Sequence, residues 1–291
     1  MTFFNCSLYL VLVALPATAA TVADFSDGNG AGGDSFPGGV GGGWQGGWSV
    51  VSDKTTASAT VVSASPLNGG GNYLSAASSA AGTGTAVAAW GRRYGESGGG
   101  PSLSQSQTIS WTFRVDESSA SLSSGFTTGN DRYQFFGATN PANSSAASNE
   151  WFVFASGGNP AAVPGFVANS WGFYDGGATS TAFNSGTFID SGISLSSGVT
   201  YSFTIVTDPA SRTYVGTVSD GTTQFVSEPL NWRSYSTNPT TSGGYFFAGV
   251  SADTGAEERT FSLDGIHIVP EPSCLLLGIA GLLPLTVLRR R

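Results

Sequence analysis

Few side chains in this sequence suit bond-making chemistry. The one histidine, His267, alternates with Ile266 and Ile268, so a strand puts it on the face opposite them. A Ser-His-Asp arrangement would need it as base, and no Gly-x-Ser-x-Gly elbow opens a helix here. The two cysteines, Cys6 and Cys274, lie in the terminal segments, and no Cys/His spacing suits a metal. Carboxylates working as a pair must share a strand face, at i and i+2 or i+4. Asp116-Glu117 and Glu257-Glu258 are adjacent instead and point to opposite faces. Glu150, beside Trp151, is the best lone acid. No enzymatic activity is expected from this set.

Binding chemistry has more material. Sugar recognition needs aromatic platforms beside Asn, Asp or Arg. Trp171, Tyr174, Asp175, Trp232 and Arg233 supply both, and Trp90, Arg92, Arg93, Tyr94 and Tyr235 offer a second set. The competing reading is that these aromatics fill a core. The acid-bearing turns at Asp175, Asp208 and Asp220 could hold a structural Ca²⁺, although no EF-hand spacing occurs. No other cofactor and no other metal site is expected.

Composition narrows the partners. A net charge of −8 argues against nucleic acid, which needs a basic footprint. Only 10% of residues are charged, so Ser, Thr, Asn and Gly must cover much of the surface. That suits a protein among sugars or in a matrix. The region between the terminal segments has no cysteine and must hold together by burial.

The elements that would position these residues read as strands. Thr108 to Val115 alternates cleanly, with Ile109, Trp111, Phe113 and Val115 on one face. Val199 to Val206 repeats the pattern with Val199, Tyr201, Phe203 and Ile205 inward. An Asp208-Pro209 turn leads to a partner strand, Thr213 to Ser219. Asp220-Gly221 then reads as a two-residue hairpin into Gln224 to Val226. Tyr133 to Phe136 and Trp151 to Ala155 are apolar throughout, as central strands are. Shorter strands are expected at Val50-Val51, Thr60 to Ser63, Trp171 to Tyr174, Thr187 to Ile189 and Tyr245 to Val250. In Thr260 to Ile268 the apolar set shifts by one residue, which places a β-bulge at Asp264-Gly265. Residues 64–84 are small and polar and read as loop. Trp44 and Trp48, in a glycine-rich segment, are expected to close over an edge of the domain. No internal stretch has helical periodicity. The fold class expected is all-β: one antiparallel β-sandwich spanning 21–268.

The two ends read as targeting segments. Residues 1–20 hold an apolar run from Leu8 to Leu15 and then Ala17-Thr18-Ala19, the form of a signal helix cleaved after Ala19 or Ala20. Signal peptidase and the export machinery are the implied partners. Residues 269–291 read Val269-Pro270-Glu271-Pro272-Ser273, an uncharged run from Cys274 to Leu288, then Arg289-Arg290-Arg291. The prolines favour an extended chain around Glu271. A helix over the apolar run spans about 22 Å, a short transmembrane helix. The arginines stop it and keep its end cytoplasmic.

In that order, Pro270, Glu271 and Pro272, the apolar helix and Arg289 to Arg291 resemble the PEP-CTERM sorting signal. The resemblance covers these 23 residues alone. It implies processing by an exosortase-type membrane enzyme and delivery to the surface or extracellular polymer of a Gram-negative bacterium. Tyr201 to Gly221 more loosely resembles the concanavalin-like jelly roll of lectin and laminin-G type. A structural or adhesive surface protein is the first expectation, with a carbohydrate-binding module as the alternative and polysaccharide as partner.

Overall fold

The computed structural model describes residues 20–26, 36–53, 55–67, 70–80, 85–138, 149–177, 182–233, 244–253 and 258–271. Strands dominate. In chain order they are β1 Thr21–Ala23, β2 Val40–Gly41, β3 Trp44–Gln45, β4 Ser49–Asp53, β5 Thr55–Val62 and β6 Tyr73–Ala80. Then follow β7 Ala86–Tyr94, β8 Gln107–Val115, a short helix α1 Ser119–Gly125, β9 Arg132–Ala138 and β10 Asn149–Ser156. The chain continues with β11 Ser170–Asp175, β12 Thr187–Ser194, β13 Thr200–Asp208, β14 Thr213–Ser219 and β15 Gln224–Val226. It closes with β16 Leu230–Asn231, β17 Gly244–Ala252 and β18 Glu258–Pro270.

These strands form two nine-stranded antiparallel sheets packed as a sandwich. The first runs β15-β14-β13-β8-β18-β6-β5, with β1 also on β18 and β16 also on β14. The second runs β12-β11-β10-β9-β17-β7-β3-β2, with β4 also on β7. In β8, burial strictly alternates and hides Ile109, Trp111, Phe113 and Val115, as the period-two pattern requires. Trp111 is the hub of the core. Its ring lies 5.1 Å from Phe203 of its own sheet, and 5.1, 5.2 and 5.5 Å from Phe135, Phe246 and Trp151 of the other. The offset and tilted contacts are the arrangements that aromatic quadrupoles favour.

The central strands of the second sheet, β9, β10, β11 and β17, are buried on both faces. Inward the sheet gives Trp90, Phe135, Trp151 and Phe246 to the main core. Outward it carries a second apolar cluster with Phe136, Phe152, Phe154, Tyr174, Phe188 and Phe247, against which Phe166 packs. This explains why β9 and β10 lack alternation in sequence.

Four readings need correction. Residues 64–84 are not all loop, because β6 is a full strand between β18 and β5. Its sequence, YLSAASSA, buries Leu74 and Ala76 but is too poor in large apolar residues to announce itself. Trp44 and Trp48 do not merely close an edge; both are buried in the main core. The β14–β15 connection is a four-residue loop, residues 220–223, because Ser219 pairs with Gln224. The Asp220 carboxylate accepts from the amides of Thr222 and Thr223, so this Asp-Gly serves an Asx turn. Lastly, α1 interrupts the all-strand reading, capped by Ser118, whose hydroxyl accepts from the Ser121 amide.

The bulge in β18 is where its sequence places it. The register to β8 slips between Asp264 and His267, and Gly265 has φ +60°, a conformation that costs glycine least. Ile266 and Ile268 are buried, and His267 is exposed.

Candidate functional site

One end of the second sheet brings together two arginines, Asn149, Glu150 and Asp175. The end is set by register: Arg93 of β7 lies opposite Tyr245 of β17, Tyr245 opposite Ala138 of β9, and Ala138 opposite Asn149 of β10. The Arg93 guanidinium sits 6.0 Å from the Tyr245 ring centroid. One strand further, the Arg233 guanidinium lies 5.4 Å from the Phe152 ring and 5.7 Å from that of Tyr174, a double cation–π contact. The backbone amide of Arg233 donates to the Glu150 carbonyl. Beside it, the Asp175 carboxylate accepts from the Asn231 amide and from its side-chain Nδ2, at 2.7 and 2.9 Å.

Between these two clusters β10 is irregular. Its register to β9 shifts between Asn149 and Phe152, so Glu150 and Trp151 share one rung as a bulge. Gly137 faces that rung. A Cβ there would lie 2.2 Å from the Trp151 Nε1, so only glycine lets the indole lie flat. Asn149 is 1% exposed and Glu150 5%. Both side-chain polar atoms of Asn149, and Oε1 of Glu150, are buried without a hydrogen-bond partner. Such groups are costly to leave unpaired. Burial pushes the Glu150 carboxyl up to about 7, and burial, with a smaller part from the Glu150 charge, raises the Tyr94 phenol well above its ordinary range. Burial also lowers the Arg233 guanidinium to about 10.

The residues singled out in sequence divide. Tyr174, Asp175 and Arg233 come together at this end. Trp171 and Trp232 do not join them as a platform. Trp171 packs in the main core, 5.0 Å from Phe203 and 5.5 Å from Tyr201. Trp232 is 2% exposed, and its Nε1 donates to the Thr213 carbonyl. All seven tryptophans of the chain are buried, including Trp90. Arg92 lies over the Trp44 ring at 4.5 Å and donates to the carbonyls of Gly39 and Gly46, so it holds the glycine-rich segment in place. Asn149 was missing from the sequence reading; only its place beside Glu150 could have flagged it.

The acid-bearing turns cap backbone. Asp208 accepts from the amides of Ala210 and Ser211 and from the Ser211 hydroxyl, and these bonds lower its pKa. The same kind of backbone bonds depress Asp220. Among the described residues no group of three or more His, Cys, Asp or Glu side chains could hold a metal ion.

The tail is described as far as Glu271. β18 continues two residues past Ile268: Val269 pairs with Thr108 and Pro270 with Gln107. The Glu271 amide donates to the Ser106 carbonyl at 2.8 Å, and the Thr108 hydroxyl donates to the Glu271 carboxylate. Pro270 and Glu271 are therefore extended, held against the sheet. Pro272, the apolar run, Arg289, Arg290 and Arg291, like Ala17, Ala19 and the signal segment, lie outside the described residues, as does Tyr235. Ala20 is described and exposed. Among the described residues no helix is long and apolar enough to cross a membrane.

No family model matches the chain, and no curated protein does. Among solved structures, a protein of unknown function from Shewanella oneidensis MR-1 is similar at 12% identity and TM-score 0.48, over 93% of this chain and 98% of that one. A peanut lectin, solved with a nine-residue peptide, is similar at 11% identity and TM-score 0.43, over 78% and 99%. A sialidase is similar at 13% identity and TM-score 0.47; 87% of this chain matches 19% of that one, so the chain spans about a fifth of its length.

Proposed function

We propose that this chain is an exported, non-catalytic β-sandwich that binds polysaccharide at the polar end of its second sheet. The observation that carries the reading is that the unsatisfied side chains of Asn149 and Glu150 lie at the same end of the sheet as two ring-stacked arginines. Hydroxyl-rich ligands need donors and acceptors together, and this end offers both. Recognition runs through guanidinium, amide and carboxyl groups, since no tryptophan is available for stacking. The resemblance of residues 269–291 to a PEP-CTERM signal supports delivery by an exosortase-type enzyme to the envelope surface, where polysaccharide is at hand.

Binding of the full chain to a panel of bacterial polysaccharides, read by calorimetry, tests this. Asn149→Ala and Arg233→Met are each expected to weaken binding about tenfold, the scale of one lost hydrogen bond to charge. Unweakened binding moves the site elsewhere. No binding to any polymer leaves an adhesive or structural role. Release of sugar by the wild type that Glu150→Gln abolishes would make the protein an enzyme.

A further inference from the structure

The first sheet ends in a strand whose outer edge no other strand pairs with among the described residues. β5 pairs with β6 over eight unbroken rungs, from Thr55 opposite Ala80 to Val62 opposite Tyr73. Its other side meets no strand, and none of its residues makes a backbone hydrogen bond away from β6 among the described residues. Strand edges of this kind are normally blunted by charge, proline, a bulge or brevity. β5, TTASATVV, has none of these. The other edges differ: β4, which among the described residues pairs only with β7, has five residues and ends in the charged Asp53. β15 and β2 have three and two residues, and β2 runs into Gly42 and Gly43 at positive φ. β12 carries Asp190 and a positive-φ Gly192, and it packs on β15.

The side chains around β5 are also unfinished. Ala57, Ala59 and Val61 pack on the main core yet stay half-buried, because the sheet stops there. Beside them β4 exposes Val50 and Val51, at 39% and 40%. Two copies of a chain at −8 repel in most approaches. β5 itself has no charge, so this edge lets two copies meet without opposing carboxylates.

We propose that β5 is a self-association edge: two copies pair β5 antiparallel across a two-fold axis and run their first sheets into one. An isologous contact needs a self-complementary patch, and an antiparallel strand pair is one. The two-fold keeps faces in register, so Ala57, Ala59 and Val61 of both copies line the core side. Thr56, Ser58 and Thr60 line the outer side. An eight-residue edge covers less than the ~1,200 Å² of a stable interface, so the pair is weak and forms where chains are crowded.

The test is sedimentation of the purified full-length chain from micromolar to millimolar concentration. The wild type should show a concentration-dependent dimer. Ser58→Lys with Thr60→Lys, both at exposed positions, sets like charges across the axis and should raise the dissociation constant about tenfold or more. Its circular dichroism and melting should not change. In a background with Cys6 and Cys274 changed to serine, Ser58→Cys should cross-link to its own copy. Val226→Cys, 56% exposed on the opposite edge, should not. A wild type that stays monomeric throughout, a dimer indifferent to the two lysines, or equal cross-linking at both positions would overturn the proposal.

Discussion

Glu150 shows most plainly how one side chain can set a property of the whole. Its carboxyl is buried, Oε1 has no partner, and its pKa is pushed up to about 7. In the unfolded chain the group titrates near 4.3. A folded-state pKa above the unfolded one means the native state holds the proton longer. Its stability is then full below about pH 4 and falls as pH rises, with the loss complete a little above 7. The loss is on the order of 3 kcal/mol. Glu150→Gln keeps the shape and removes the titration. Urea unfolding at pH 4.5 and pH 8 should therefore show the wild type losing stability between them and the variant much less so. Equal slopes would mean that the carboxyl is solvated. In sequence Glu150 stood out as a lone acid beside a tryptophan. Its burial did not, because that depends on the β10 bulge and on Gly137, a strand away.

Between elements, the tie that the sequence hid is ionic. Arg259 of β18 is fully buried, and its guanidinium reaches the Glu117 carboxylate at 2.9 Å, Asp131 at 3.3 Å and the Gly125 carbonyl. Tyr133 donates to the other Glu117 oxygen, and the amides of Thr127 and Thr128 donate to Asp131. The set fastens β8, α1, β9 and β18 at the end of the sandwich away from the polar site. Pairing offsets the desolvation of each charge, but removing one partner strands the rest. Arg259→Met should cost about 3–5 kcal/mol in chemical denaturation. A loss under about 1 kcal/mol would mean that water already reaches the site. Strand reasoning recovered β8, β13 and β14, where large apolar residues alternate. It failed at β6, made of Ala and Ser, and at this network, whose members are up to 142 residues apart. Adjacent acids such as Asp116-Glu117 read as pointing apart. Here that is right, and it lets Glu117 turn to Arg259 while Asp116 takes Arg114.

For the molecule as a whole, the two described ends of the chain meet. β1 pairs with β18, Thr21 opposite Ile268, while Val269 and Pro270 lie on β8. The Trp44 indole donates to the Val22 carbonyl, and Trp44 lies opposite Tyr94, so this corner also adjoins the polar end of the second sheet. A chain processed at both ends would thus emerge from one corner of the sandwich. The tail has no slack: Glu271 is still bonded to Ser106 and Thr108. Two truncations separate fold from sorting. A chain ending at residue 271 keeps every rung described, whereas one ending at residue 268 loses the Val269 and Pro270 rungs and the Glu271 contacts. Each lost hydrogen bond is worth about 0.5–1.5 kcal/mol, so the shorter form should melt several degrees lower and the longer should match the full chain. In a host with an exosortase-type enzyme, both should be exported and neither retained, because the apolar run and the arginines are gone. If residues 269–291 act as a sorting signal, the full chain with Pro270, Glu271 and Pro272 changed to alanine should keep its apolar run yet escape processing, and the intact mass should accumulate. Retention of the residue 1–271 form, or normal cleavage of the triple-alanine chain, would remove the mechanistic content from the tail's resemblance to a sorting signal.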